Sequence, residues 1–178
     1  MARTCLLVVC GAPLARRAPD VARALVDAGW DLRVAVTPAA EAWVTPAQLE
    51  EAAAARVRSE HRSPDEPKDR TVPDVVLVCP ATFNTVNKLA VGIADTYAAS
   101  ALAEALGTGI PLFVVPMVND KLWGHPAWEP NLAALTSSGV TFLDPRTFHA
   151  SATVVRSGTG DQVTDLFDVA ALVQRLSI

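Results

Sequence analysis

Residues 4–13, Thr4-Cys5-Leu6-Leu7-Val8-Val9-Cys10-Gly11-Ala12-Pro13, carry the reading that decides the fold. From Cys5 to Cys10 every position is apolar, and the run has the length of one strand. A strand with one wet face alternates polar and apolar residues. A strand that is apolar throughout is covered on both faces, which is the situation of a parallel sheet between helical layers.

The same pattern recurs along the chain. Residues 74–79 (DVVLVC) and 110–115 repeat it, with shorter strand-like runs at 31–36 and 140–143. Helical patterns lie between them. Residues 18–29 place Val21, Ala24, Leu25 and Ala28 at helical spacing and close on Gly29. Residues 46–58, 82–89, 95–106 and 130–137 also read as helices, the last beginning on a proline. Residues 161–176 read as one terminal helix with Val163, Leu166, Phe167, Ala170 and Val173 on its inner face. Strands alternating with helices, joined by right-handed crossovers, predict an α/β fold: a three-layer, Rossmann-like (flavodoxin-like), doubly wound parallel sheet. No internal repeat interrupts it, so residues 1–178 are read as one domain. The polar, proline-rich stretch within 59–73 has no periodicity and is expected to be a flexible loop.

Composition narrows the function. The chain has 178 residues, 51% hydrophobic and 19% charged, with a net charge of −4. Its mean hydropathy is +0.27. No basic stripe appears, so nucleic acid is not expected as a partner. Apolar runs of about six residues fall far short of the ~20 that cross a bilayer, so no membrane is expected either. Cys5, Cys10 and Cys79 sit in or at the ends of apolar runs, as reduced core thiols of a cytoplasmic protein would, and their spacing fits no zinc site; no metal is expected. The apolar excess, largely alanine and valine, is more than one small domain needs.

In a doubly wound sheet, ligands bind beyond the carboxyl ends of the strands. Four segments fall there: Gly11-Ala12-Pro13, Thr37-Pro38-Ala39-Ala40, residues 80–85 (PATFNT), and Pro116-Met117-Val118-Asn119. They hold small residues, hydroxyls and amides, and no acid. Free N–H groups at helix starts favour anions, so Thr37, Thr82 and Thr85 are phosphate-binding candidates or, more simply, helix caps. Gly11 alone does not make a dinucleotide-binding glycine turn, and no P-loop, nucleophile elbow or zinc helix is present.

Residues 80–100, PATFNTVNKLAVGIADTYAAS, resemble the P-A-S-x-N-T-x-x-K-x-A-x-G-I-x-D-N segment of the homo-oligomeric flavin-containing Cys decarboxylases. Residues 116–135, PMVNDKLWGHPAWEPNLAAL, resemble that family's P-x-M-N-x-x-M-W-x-N-P segment and the helix after it. The resemblance covers roughly residues 4–145. It implies FMN, with the flavin phosphate on Gly11, Ala12, Pro13, Thr37, Pro80, Thr82, Phe83, Asn84 and Thr85, and backbone near Ala94 and Asp95 approaching the cofactor. Phe83 stands where the family has a small residue; it lines the flavin or fills the core.

The resemblance further implies decarboxylation of a small-molecule or peptide thiol, with Asn119 holding the departing carboxylate. Assembly into trimers, or dodecamers built from trimers, would use the apolar excess. The family's catalytic histidine falls on Glu66 here, and His61 precedes it in the same loop; both are acid–base candidates. His125, where the family often has asparagine, and Arg156 are candidate substrate contacts, and residues 150–161 correspond to a flexible substrate clamp that here lacks the cysteine. His61 and Arg156 read equally as solvated surface residues. Two other functions stay open: a non-catalytic FMN-binding or regulatory subunit, and a flavin prenyltransferase. The latter needs an Arg-Glu pair where this chain has Val114-Val115-Pro116-Met117.

Overall fold

The computed structural model describes residues 3–55, 57–66 and 71–176. Its six-stranded sheet has the order β3-β2-β1-β4-β5-β6, and every pairing is parallel. The strands are β1 Thr4–Val9, β2 Asp31–Val36, β3 Val57–Arg58, β4 Val75–Ala81, β5 Leu112–Pro116 and β6 Thr141–Phe142. The strand order reverses between β1 and β4, which is where a doubly wound sheet opens its ligand crevice.

All six residues of β1 are buried, as a strand covered on both faces requires. Cys5, Leu7 and Val9 enter one core, and Leu6 and Val8 the other. The first core is closed by α1 (Ala18–Asp27), α2 (Pro46–Ala53) and α8 (Val169–Arg175). The second is closed by α3 (Phe83–Val91), α4 (Tyr97–Thr108) and α6 (Trp128–Ser137). The three-layer expectation therefore holds. Among the described residues, no helix is long and apolar enough to cross a membrane.

Three boundaries differ from the sequence reading. The helix expected over 46–58 ends at Ala53, because Ala54 turns left-handed (φ 50°) and Val57–Arg58 pairs with Val34 and Ala35. A strand edge with open N–H and C=O groups outcompeted alanine's helix propensity there. The helix expected over 161–176 is two: α7 (Gly160–Asp165) and α8, broken where the Asp168 carboxylate accepts from the Ala171 N–H and caps a new helix. Leu166, expected on the inner face, is consequently 84% exposed. The third is α6, which begins at Trp128, so Pro130 sits within its first turn, where no hydrogen bond is lost. The expected loop over 59–73 is irregular where described; its residues 67–70 lie outside the described residues.

The three cysteines are free and buried. Burial pushes the Cys5 thiol up to about 12, the Cys10 thiol up to about 11 and the Cys79 thiol higher still.

Candidate functional site

The crevice at the β1–β4 reversal is built from backbone. Cys10 N–H donates to the Pro80 carbonyl across it at 3.1 Å. The loop after β1 then passes against the loop after β2. A Cβ on Gly11 would lie 2.4 Å from the Ala39 carbonyl oxygen, so only glycine allows that approach. Beside this contact is Thr37, whose hydroxyl is buried and has no partner among the described residues; it makes no cap bond to the short 3-10 turn it precedes. A buried hydroxyl without a partner costs about 1–3 kcal/mol, an arrangement expected where a ligand completes it.

Thr82 caps α3 by accepting from Thr85 N–H at 3.4 Å, and the two hydroxyls lie 3.1 Å apart. Capping is therefore part of its role. Asn84 is exposed in the first turn of α3, and Pro80, after a cis peptide bond, is buried in β4. Phe83 is half-buried: its ring stacks on Trp128 with centroids 5.4 Å apart and packs against the second core.

A cavity of about 400 Å³ opens beside the loops after β1 and β5. Pro13, Asn119 and Arg156, three residues singled out in the sequence, line it together. Asn119 caps the short helix α5 (Asp120–Trp123): its side-chain oxygen accepts from Leu122 N–H at 3.0 Å. That bond uses the oxygen and leaves the amide N–H groups for a ligand, the right polarity for a carboxylate. The far wall is the segment leading to α7. Val155 N–H donates to the Val118 carbonyl at 2.9 Å, and Ser157 donates to Asp120 through both its N–H and its hydroxyl. Those bonds hold the Asp120 carboxyl below the usual carboxylate range. Upstream, Asp144 takes the Thr153 hydroxyl and the N–H groups of Arg146 and Thr147. Burial alone would raise its pKa, but these three donors outweigh burial and hold it low.

Other sequence-selected residues stand apart from this cavity. His61 is exposed and packs edge-on to Tyr97 with centroids 5.9 Å apart, and Glu66 pairs with Arg58 at 3.8 Å. Neither lines the cavity. Ala94 and Asp95 are exposed beyond the C-terminus of α3, where Lys88 binds Asp95 at 2.6 Å and Ser100 donates to the Ala94 carbonyl. The Lys88 hydrogen bond holds the Asp95 carboxyl below its ordinary value. His125 is exposed; its Nδ1 accepts from Ala127 N–H at 3.1 Å and its ring meets Phe83 edge-on at 5.5 Å. The sequence reading passed over Arg16 and Trp43, both on the cavity wall, and took Met117 and Asp161 only as members of the ligand-edge segment 116–119 and the clamp 150–161. Exposed charges and a lone tryptophan carry no spacing signal that would have found them.

A doubly wound sheet with a glycine contact, an unpartnered hydroxyl and an amide-lined cavity at its switch point defines a mononucleotide-type binding protein. The Flavoprotein family model matches residues 2–176, and the chain belongs to that family. A probable phosphopantothenoylcysteine decarboxylase of Streptococcus mutans is 29% identical over 99% of this chain and 98% of its own length. The chain spans less than half the length of the bifunctional coenzyme A biosynthesis proteins it also matches. Among solved structures, the FMN-dependent cysteine decarboxylase TvaF of thioviridamide biosynthesis matches with a TM-score of 0.67 and 28% identity, over 80% of this chain and 90% of that one. A PPC decarboxylase mutant complexed with pantothenoylaminoethenethiol matches in fold, with a TM-score of 0.75 and 19% identity over 99% and 97% of the two chains. The donor set fits FMN: the Thr37 hydroxyl lacks a partner among the described residues, and the Gly11–Ala39 contact brings the loops after β1 and β2 together beside it.

Proposed function

We propose that the chain is an FMN-dependent decarboxylase acting on a thiol-bearing, cysteine-like substrate. The buried, unpartnered Thr37 hydroxyl beside the Gly11–Ala39 contact carries this reading. Thr37, Thr82, Thr85 and the N–H groups of Gly11 and Ala12 would hold the flavin phosphate, with Pro13, Pro80, Phe83 and Asn84 around it. When held there, the flavin would supply a two-electron acceptor for oxidation of the thiol-bearing carbon to a thioaldehyde, whose C=S group can take up the electron pair left as CO₂ departs from the neighbouring carbon.

The chain's own groups orient and protonate. The Asn119 amide donates to the substrate carboxylate without the Coulombic hold of an arginine, so the carboxylate is fixed in place and still free to leave as neutral CO₂. The segment around Val155–Gly160 forms the far wall against which the substrate would lie. His61 or Glu66 moves the proton, with the loop after β3 delivering it, and His125 and Arg156 contact substrate. His61→Asn and Glu66→Gln are expected to differ sharply: one abolishes CO₂ release and leaves bound flavin unchanged by absorbance.

Exposed Val91 at the end of α3 and Ile93 just after it, near Ala94 and Asp95, and the half-buried alanines of α4 support a homo-oligomer, a trimer or a trimer-based dodecamer, with this edge facing a neighbour. Three free thiols support a reducing, cytoplasmic setting. The separation of His61 and Glu66 from the cavity favours one second reading, a non-catalytic FMN-binding or regulatory subunit.

The test is purification followed by anaerobic incubation with peptides ending in cysteine and with small cysteine-like thiols. Flavin absorbance and CO₂ release are expected. A chain that neither carries FMN nor takes it up overturns the proposal. Bound flavin that no thiol reduces, with no CO₂, selects the regulatory reading.

A further inference from the structure

Arg16 lies on the cavity wall and is not used by the assignments above. It forms an ion pair with Asp161 and lies over the Trp43 ring, 5.5 Å from its centroid. The side chains of Arg16 and Asp161 are 44% and 75% exposed, so water screens the pair and it contributes little to stability. Asp161 lies 145 residues further along the chain, in the first turn of α7. The next arginine, Arg17, is already engaged by Asp20 and the Thr164 carbonyl, so it does not compete for Asp161.

Two features make the Arg16–Asp161 pair exchangeable. The segment carrying Asp161 is held independently by the Val118–Val155 and Asp120–Ser157 bonds, so releasing Asp161 leaves the wall standing. A second guanidinium, Arg156, lines the same cavity with no ion pair among the described residues. The wall thus sets two guanidinium groups against one carboxylate. A guanidinium gains more from an oxyanion, phosphate or carboxylate, that accepts two of its N–H groups within the cavity than from a screened surface carboxylate.

We propose that Arg16 is an oxyanion receptor of the ligand cavity, and that Asp161 is an internal stand-in for the ligand's oxyanion, displaced when the ligand binds. The inference rests on the flavin–thiol reading of this site. Two oxyanions are then available, the flavin phosphate and the carboxylate of the thiol substrate, and the experiment separates them.

Calorimetry gives the affinity of the flavin-free chain for FMN and for riboflavin, which lacks the phosphate. It then gives the affinity of the flavin-loaded chain for 3-mercaptopropionate and for 2-mercaptoethanol, which lacks the carboxylate. Asp161→Asn is expected to tighten one oxyanion ligand roughly three- to tenfold, since its competitor is gone. Arg16→Gln is expected to weaken the same ligand by about tenfold, with Arg16→Lys between. The neutral counterparts are expected to bind unchanged, and whichever pair responds names the source. Equal effects on charged and neutral ligands, or lower melting temperatures with unchanged affinities, overturn the inference while flavin binding stands. A chain that binds neither flavin overturns the functional reading and this inference together.

Discussion

The ligand edge of the sheet has two walls built on different principles. The loops after β1, β2 and β4 are set by sheet register, a glycine contact and backbone hydrogen bonds, such as Cys10 N–H to Pro80 O. The segment from residue 144 to 161 is set by carboxylates: Asp144 anchors its start, Asp120 grips Ser157 from outside, and Asp161 reaches Arg16. The first wall is joined through backbone groups, with no charged side chain in its joints, and shifts only if the sheet does. The second is fastened by groups that titrate and by contacts that water reaches. A rigid wall suits a cofactor that stays, and a releasable wall suits a ligand that comes and goes.

The largest expected effect is on the first wall. Gly11→Ala drives a methyl into the Ala39 carbonyl, so flavin uptake is expected to fall by about a hundredfold or more, with a stability loss of about 1–3 kcal/mol. Absorbance titration and a thermal melt read both. Retained flavin affinity would break the contrast between the walls.

Asp144→Ala tests the second wall. It removes the acceptor of three donors and is expected to cost about 2–4 kcal/mol. Proteolysis is expected to speed up within residues 145–160, while the sheet strands stay protected. Equal loss of protection in β1 would show that the walls are one cooperative unit.

Acid gives the next effect. Asp144 and Asp120 sit below the usual carboxylate range in the folded chain, so their stabilisation is present above the ordinary value of ~3.9. It is lost as pH falls through their depressed folded values. Protection from hydrogen exchange, measured against the unfolded chain at the same pH, is therefore expected to fall in residues 151–160 on acidification before it falls in β1 and β4.

The smallest effect is expected at Met117, whose sulfur accepts from Leu14 N–H at 3.3 Å between the walls. Met117→Leu keeps the volume and is expected to cost under about 1.5 kcal/mol, with flavin binding retained.

The sequence made the first wall legible and the second mostly illegible. Residues 4–13 announced a strand buried on both faces, and that burial fixes where Gly11 and Thr37 must fall. Asn119 and Arg156 were found separately, through a resemblance and a mobile-looking stretch, and the structure joins them in one cavity. Arg16 carried no signal, because one exposed arginine of an Arg-Arg pair looks like any surface residue until Asp161 arrives from the other end of the chain. The same holds for the strand Val57–Arg58, created by a tertiary pairing with β2 that no local propensity encodes. His61 and Glu66 were selected by counting along the chain, and their loop answers instead to Arg58 and Tyr97.

The buried cysteines have a practical consequence. Because Cys5, Cys10 and Cys79 are held protonated and sealed in the core, an alkylating reagent added at neutral pH finds almost no thiolate on the protein. A thiol substrate and any sulfur-bearing product are then the reactive sulfurs in the tube. Turnover can be stopped and its products tagged in one step, with the intact protein serving as its own unlabelled mass standard.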